Sequence, residues 1–355
     1  MQKPTRPTWL PSYIPELQGL RGIAVLAVVF YHSHPRLVGT PFYAASLWGW
    51  AGVNLFFVLS GFLITSILLE TRDKPKYFRN FYGRRALRIW PVYVLVLLVC
   101  YLNAEWFVGL PVIKAFRTAP WWAYVLLIQN LFPIKLPPPI TPTWSLAIEE
   151  QYYLAWAPLV RYLRRPAVLV ALLCAVFVVC PWFRMQHFAW ITPTDTVTHL
   201  DGIAMGSLLA LGLYTLRISR AKWLALALIA MALGFVAAGS IAGGTAFLDT
   251  ALSTGFGGAV LAAIASTGLR NPVNVLLRRG PLPYYGKISY GMYMTHIMVF
   301  VYFGWFDLKM DPYGTAGNLA VVAFRLATAT IAATLLWYGF ESRILKLKKY
   351  FSFHR

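Results

Sequence analysis

Long apolar stretches recur from one end of this sequence to the other, and they constrain its fold more than any other feature. A stretch of about 20 apolar residues forms a helix as long as the hydrocarbon core of a bilayer is thick. Because lipid offers the backbone no hydrogen-bond partners, repeated stretches of this kind fold as packed helices. The charged fraction is 12%, and soluble domains usually carry about twice as much. The sequence therefore predicts an all-α, polytopic membrane bundle.

We predict about ten transmembrane helices in a single domain that covers residues 1–355. The spans are expected near 17–34, 47–69, 89–107, 144–160, 166–183, 200–216, 223–240, 247–268, 287–304 and 317–340. The first is expected to be retained, because no small-residue cleavage pattern follows it. An apolar segment near 121–132 is too short to span, and we predict a re-entrant or interfacial helix there.

The basic residues indicate an orientation for these spans. The net charge is +20, and most of the 32 Lys and Arg residues cluster in short loops on one side of the predicted bundle. By the positive-inside rule this side is cytoplasmic, and an even number of spans places both termini there. This distribution argues against nucleic acid as a partner. No spacing of His, Cys, Asp or Glu resembles a metal site.

Arg21 and His32 lie inside the first apolar stretch. They are eleven positions apart, which on a helix is about 16 Å, or roughly half of the hydrocarbon core. A guanidinium and an imidazole at this depth are costly unless they face the interior of the bundle and serve a function. The alternative is a snorkelling arginine and a histidine bonded to a nearby carbonyl. We favour a functional pair.

Three arginines, Arg84, Arg85 and Arg88, precede the third span. Arg85 and Arg88 are three positions apart, so on a helix they share a face. A guanidinium can bind phosphate through two parallel hydrogen bonds, which makes this a candidate phosphate site. A basic cluster that only sets topology and contacts anionic lipid is the alternative.

Polar residues also interrupt other spans. Asn54 needs a hydrogen-bond partner in lipid, and His32 is a candidate. Glu149 and Glu150 project about 100° apart on a helix, so at most one points inward. Stabilisation of a helix N-terminus explains the other. Interfacial anchoring is the alternative for His199, and a hydrogen-bonded core position is slightly favoured for the mid-span His296.

These motifs together resemble the membrane-bound acyltransferase family 3, the integral-membrane O-acyltransferases of surface carbohydrates. The resemblance runs over essentially the whole chain and rests on five blocks: 16–22 with His32, 57–63, Arg85 with Arg88, 144–153, and 289–296. Family members take an acyl group, usually acetyl, from acyl-coenzyme A and transfer it to a sugar hydroxyl. Some relatives carry an appended periplasmic esterase-like domain, which this chain is expected to lack.

The resemblance and the chemistry of the reaction imply roles for the candidate residues. His32 is the expected general base, either deprotonating the acceptor directly or carrying the acyl group first. Glu149, or Glu150 in its place, is expected to orient His32. Arg21 is expected to lie along the pantetheine path or near the thioester oxygen. The remaining expectations are phosphate binding by Arg84, Arg85 and Arg88, and acceptor binding by Asn54, Glu150, Trp144 and His199.

The resemblance also implies a setting. We expect a protein of the bacterial cytoplasmic membrane with acetyl-CoA as co-substrate, no metal, and a polysaccharide or lipid-linked oligosaccharide as acceptor. Membrane lipid, a second copy of the chain, and polysaccharide-export proteins are the other expected partners. Two alternatives stay open: a transporter or flippase of a lipid-linked sugar, with Arg21 and His32 as a proton relay, and a tailoring acyltransferase of a small glycosylated metabolite.

Overall fold

The computed structural model describes residues 5–106, 120–132, 138–186, 194–241, 246–303 and 314–353. Within these ranges the chain is helical and contains no strand, as the sequence predicts. The described residues include ten helices of 16 or more residues. They are α1 Pro15–Tyr31, α2 Gly52–Thr71, α3 Tyr77–Trp106, α4 Thr143–Tyr162, α5 Pro166–Met185, α6 Leu200–Thr215, α7 Arg220–Ser240, α8 Leu248–Ala265, α9 Pro281–Tyr302 and α10 Thr315–Leu336.

Six of the described helices are long and apolar enough to cross a membrane, namely α2, α3, α5, α7, α8 and α10. The protein is therefore a multi-pass helical membrane bundle, but the predicted number of about ten spans is not confirmed. The four others are shorter or more polar: α1 and α6 have 17 and 16 residues, and α4 and α9 carry side chains such as Glu149 and His296. A helix enclosed by other helices can hold polar groups that a lipid-facing helix cannot.

The helices form an enclosed core with apolar helices around it. Most of the apolar window of α2 and of α8 is buried, whereas less than a quarter of that of α5, α7 and α10 is buried. Val178 of α5, Val236 of α7 and Leu335 of α10 are 71%, 68% and 68% exposed. Because exposed apolar faces of this extent are unfavourable in water, we infer that lipid covers them.

Contacts between loops show that the helices alternate in direction. Arg164, after α4, donates to Asp73 between α2 and α3 at 2.7 Å, and Arg278, before α9, donates to Glu16 of α1 at 2.7 Å. We call this the basic end of the bundle. At the opposite end, Asn130 donates to Thr196 at 2.9 Å. The predicted spans require this alternation.

The segment near 121–132 consists of a helical turn, Trp121–Val125, and a 3-10 turn, Gln129–Leu131. The side chain of Gln151, about two turns inside α4, donates to the backbone oxygen of Leu127 at 2.8 Å. The segment therefore enters the bundle from the opposite end beside α4 and does not cross it. This arrangement favours the re-entrant form of our prediction.

Two glycines allow α1 and α9 to cross with their backbones in contact. A Cβ atom added to Gly22 would lie 2.2 Å from the carbonyl oxygen of Leu282, and one added to Gly286 would lie 1.9 Å from that of Gln18. Both distances are far below any real contact, so these positions admit no side chain. The close crossing brings the polar residues of α1 and α9 together.

Replacing Gly286 with alanine is expected to destabilise the protein, because the added methyl group forces α1 and α9 apart. Overpacking of this kind costs about 1–3 kcal/mol, which should lower the thermal unfolding temperature in detergent. Gly239→Ala on α7 is the matched control, since no atom lies within 4 Å of its added Cβ. If both variants unfold like the wild type, the crossing is less tight than described.

Candidate active site

A small cavity of about 100 Å³ lies between α1, α2, α3, α4 and α9. Three arginines line it, Arg21, Arg85 and Arg88, and we call it the arginine chamber. Its other polar groups come from Ser60, Ser145, Glu149, Tyr153, Ser289, Tyr290 and Tyr293. The family block around Arg21 and the predicted phosphate site thus meet in one cavity.

The two arginines of the predicted phosphate site have different surroundings. Arg88 donates to the buried carboxylate of Glu341, and its guanidinium lies 5.4 Å from the ring centre of Tyr290 and 5.9 Å from that of Trp337. Its charge is therefore already balanced inside the protein. Arg88 is held as a structural ion pair, which leaves it little freedom to bind a phosphate.

Arg85 and Arg21 form no such ion pair. Arg85 lies over the ring of Tyr153 at 5.6 Å, and Arg21 donates to the Ser289 hydroxyl at 3.2 Å. Among the described residues, neither guanidinium has a carboxylate within ion-pair distance. Arg84 is exposed and lies outside the lining of the chamber. Because two guanidinium groups without a direct ion pair face the single carboxylate of Glu149 in this chamber, the chamber favours an anionic or strongly dipolar ligand.

Glu149 belongs to the arginine chamber and does not contact His32. One carboxylate oxygen accepts from Ser60 at 2.9 Å and the other from Tyr153 at 2.7 Å. The expectation that Glu149 orients His32 is thus wrong in this structure, because other donors hold both oxygens. Glu150 lines neither cavity of the site, and its Oε1 is buried without a hydrogen bond. Its expected contact with substrate has no support.

A larger cavity of about 490 Å³ lies toward the opposite end of the bundle. His32 lines it, together with Asn54, Trp144 and His199, three of the four predicted acceptor-binding residues. We call it the histidine chamber. The indole of Trp144 packs edge-on against the imidazole of His199 at 5.0 Å. A cavity of this size falls in the usual range for small-molecule sites, about 300–1,000 Å³.

The two chambers share part of their walls. Val53 of α2 and Tyr293 of α9 line both of them. The Tyr293 hydroxyl forms a hydrogen bond with the Ser145 hydroxyl at 2.7 Å, and its ring packs against Phe56 at 5.9 Å. The arginines and the histidine therefore line neighbouring cavities that meet at Val53 and Tyr293.

A second histidine, on α9, contacts His32. Nε2 of His296 lies 3.2 Å from Nδ1 of His32, and the ring centres are 4.9 Å apart. His296 is fully buried. Its Nδ1 lies 2.7 Å from the carbonyl oxygen of Tyr293, and Nδ1 of His32 lies 2.9 Å from that of Val28. The core interpretation of His296 is thus correct about its burial but omits this contact.

Asn54 does not contact His32 as expected. Its amide nitrogen donates to Asp249 at 3.0 Å, and Asp249 is ion-paired with Arg184 at 2.9 Å. Arg184 also donates to Asp201 at 2.6 Å. Because the carboxylate can only accept, the amide nitrogen of Asn54 must face Asp249. Its carbonyl oxygen is then available to the histidine chamber.

Sequence reasoning does not assign His296, Asp249, Arg184 or Tyr293 to the site. Arg184 follows the predicted span 166–183, so the sequence places it in a loop and predicts no role for it in the site. Polar or charged side chains at the ends and centres of apolar spans are the signal that these residues share with His32. Their partners lie on other helices, which one sequence does not reveal.

A bundle of membrane helices that holds unpaired arginines beside an imidazole-lined chamber has the groups needed for acyl transfer. The reaction needs a binding site for an anionic acyl donor, a base for the acceptor hydroxyl, and hydrogen-bond donors for the developing oxyanion. The fold and the site therefore define a membrane-embedded transferase. Residues 14–338 match the family model described as an acyltransferase domain. This match covers nearly the whole chain, so the protein belongs to the acyltransferase-3 family.

Curated relatives carry related names. Over 166 residues the chain is 35% identical to the peptidoglycan O-acetyltransferase OatA of Listeria monocytogenes. The matched region makes up 44% of this chain and 25% of that protein. Over 190 residues the chain is 32% identical to a Bacillus subtilis protein named "Putative peptidoglycan O-acetyltransferase YrhL". The matched region makes up 49% of this chain and 28% of that protein. The chain thus spans about a quarter of the length of these relatives. No solved structure matches it.

Proposed function

We propose that this protein transfers an acetyl group from acetyl-CoA to a hydroxyl group of a cell-wall carbohydrate. One observation carries the proposal: two chambers share the side chains of Val53 and Tyr293, with unpaired arginines on one side and an imidazole on the other. The names of the relatives support the acceptor class, since both relatives are named for acetylation of peptidoglycan. Peptidoglycan or a related glycan is the acceptor that we infer.

The donor enters from the basic end in this proposal. The exposed Arg84 and the chamber-lining Arg85 bind the phosphates of coenzyme A, because guanidinium groups match phosphate geometry. At about 100 Å³ the arginine chamber admits a slender group and not a nucleotide. The nucleotide therefore stays at the basic end while the pantetheine arm passes Arg21. Arg21 is then close enough to the arm to stabilise charge on the thioester oxygen.

The acceptor occupies the histidine chamber. The indole of Trp144 offers an apolar face for a sugar ring, and the carbonyl oxygen of Asn54 accepts from a hydroxyl group. His199 supplies a further hydrogen-bonding group in the same wall. These side chains come from α2 and α4 and from the N-cap of α6, so the acceptor site is fixed by three separate elements.

The chemical step moves the acyl group from sulfur to oxygen. Nε2 of His32 removes the proton of the acceptor hydroxyl, and the oxygen attacks the thioester carbon. A carbon–oxygen bond forms, the carbon–sulfur bond breaks, and the proton passes from His32 to the leaving sulfur. The products are an O-acetylated sugar and free coenzyme A, with no change in oxidation state.

The orientation that we propose follows from the charge distribution. The basic end, with Arg72, Arg161, Arg217 and Arg343, faces the cytoplasm of a bacterial inner membrane, where acetyl-CoA is made. The histidine chamber then opens toward the outer side, where cell-wall glycans are found. Both termini are cytoplasmic in this arrangement, and glycan-export proteins are the partners that we expect.

The test uses purified wild-type protein in nanodiscs with [14C]acetyl-CoA and N-acetylglucosamine pentamer as acceptor probe. We expect label on the oligosaccharide that mild base releases, as O-acetyl esters require. Label released as acetate only, without transfer, supports the donor site and rejects this acceptor. If the protein neither transfers nor hydrolyses the acetyl group, the result contradicts the proposal and favours the transporter alternative.

The two arginines of the phosphate motif should respond differently to substitution. Arg85→Ala is expected to raise the KM for acetyl-CoA by about tenfold or more, because one charge-assisted phosphate contact contributes about 1.5–3 kcal/mol. Arg88→Ala is expected to destabilise the protein by about 3–5 kcal/mol, because it leaves Glu341 buried without a partner. Steady-state kinetics and thermal unfolding in detergent measure the two effects.

Two further variants control this comparison. Lys349→Ala removes a charge of the same sign from an exposed position of the C-terminal helical segment, and it should change neither value. Arg88→Met combined with Glu341→Met should recover stability, since a matched apolar pair replaces the ion pair. If Arg88→Ala raises KM without loss of stability, the separation of roles is wrong.

A further inference from the structure

The contacts of His32 with His296 and with the Val28 carbonyl together indicate which nitrogen of His32 can act as a base. Nδ1 of His296 lies 2.7 Å from the carbonyl oxygen of Tyr293 and 3.2 Å from that of Met292. Because carbonyl oxygens only accept, this nitrogen carries the proton. His296 is fully buried, with no carboxylate in ion-pair contact among the described residues, so its charged form is unfavourable. Its Nε2 is therefore an acceptor.

The same reasoning then applies to His32. Its Nδ1 has two neighbours, the carbonyl oxygen of Val28 at 2.9 Å and Nε2 of His296 at 3.2 Å. Both neighbours accept hydrogen bonds, so Nδ1 of His32 must donate and carries the proton. Its Nε2 is left with a free lone pair, and His32 lines the histidine chamber. The hydrogen bond at one ring nitrogen thus sets the role of the other.

We propose that His296 is a positioning residue that, together with the Val28 carbonyl, holds His32 in the tautomer and orientation required of the base. This inference rests on the proposed function of His32 and adds a residue to it. When Nε2 of His32 takes the acceptor proton, the ring becomes cationic and its Nδ1–H group becomes a stronger donor. His296 accepts that bond without bringing a charge of its own. It performs the orienting role expected of Glu149, with a neutral group in place of a carboxylate.

The test exploits the difference in reach between two amides. The longer amide side chain of a His296→Gln variant can place its oxygen near the position of Nε2, whereas that of His296→Asn reaches only the position of Nδ1. We expect His296→Leu and His296→Asn to lower kcat for acetyl transfer by about 10–100-fold, as loss of supporting hydrogen bonds does at other sites. The KM for acetyl-CoA should change by less than about twofold. His296→Gln should recover at least about tenfold of the lost rate.

A double-mutant cycle separates positioning from a structural role. In a His32→Ala background, His296→Leu should lower the residual transfer no further, because there is no base left to position. Equal activity of the His296→Gln and His296→Asn variants, or wild-type activity of His296→Leu, would overturn the inference. An additional loss in the His32→Ala background would do so as well. Inactivity of the wild-type protein in the transfer assay would instead contradict the proposed function.

Discussion

His32→Ala is expected to lower kcat for acetyl transfer by about 10²–10⁴-fold, the range usually attributed to a general base. The KM for acetyl-CoA should stay close to the wild-type value. The reason is geometric: Arg21 and Arg85, which we assign to the donor, line a different cavity from His32. Initial rates with [14C]acetyl-CoA and a saturating oligosaccharide acceptor measure both parameters.

His34→Ala is the matched control for this prediction. His34 lies two positions along the chain, and its Nδ1 is 2.7 Å from the carbonyl oxygen of Tyr31, but it lines neither chamber. Its substitution should leave kcat within about twofold, since positions away from the site usually matter little. A His32→Ala protein that remains folded and transfers acetate at the wild-type rate would remove His32 from the mechanism.

The positions of several long helices were predictable because lipid imposes a simple rule on composition, although the number of spans is not confirmed. The predicted span 166–183 corresponds to α5, Pro166–Met185, and 200–216 to α6, Leu200–Thr215. The third span is instructive, since the prediction is 89–107 and α3 begins at Tyr77. Hydropathy marks where the apolar environment ends and not where the helix ends. Beyond that point α3 is held by the C-terminal segment, for example through Asn80, which donates to the backbone oxygen of Ser352 at 2.9 Å.

Several residues that the sequence predicts for the site line the two chambers, whereas their contacts were not predictable. Arg21, Arg85, Asn54, Trp144 and His199 have interior positions in the chamber walls, as polar groups in membrane helices require, and their roles stay predictions. Which group it contacts depends on the height and rotation of a second helix. His32 and His296 are 264 positions apart, and no local pattern connects them. The expected partnership of Glu149 with His32 failed for this reason, since α4 places Glu149 beside α2.

The phosphate motif shows the same limit at shorter range. Arg85 and Arg88 share a helix face, and spacing alone assigns them one role. One turn along α3 is enough to change the neighbours from Tyr153 to Glu341. The carboxylate that separates their roles lies in a π-helical turn after α10, Trp337–Glu341. A sequence motif therefore defined the location of the cations but not which of them is free to bind a ligand.

Val53→Trp is expected to lower acetyl transfer by more than about 100-fold while the protein still binds coenzyme A. Val53 lines both chambers, and an indole at this position fills the space through which the thioester must pass. A displacement of about 1 Å between reacting groups can already cost about 10²-fold in rate. Binding of [3H]coenzyme A to the purified variant should remain within a few-fold of the wild type, because Arg84 and Arg85 are unchanged.

Two variants test whether the effect comes from the passage itself. Val53→Ala widens the space between the two chambers and should retain most of the activity. Val236→Trp places the same indole on the exposed face of α7, where the side chain is 68% exposed, and should leave transfer unchanged. If Val53→Trp transfers acetate at the wild-type rate, the acyl group does not travel between the two chambers. Donor and acceptor would then have to meet by another route, and the proposed division of the site into a donor chamber and an acceptor chamber would be wrong.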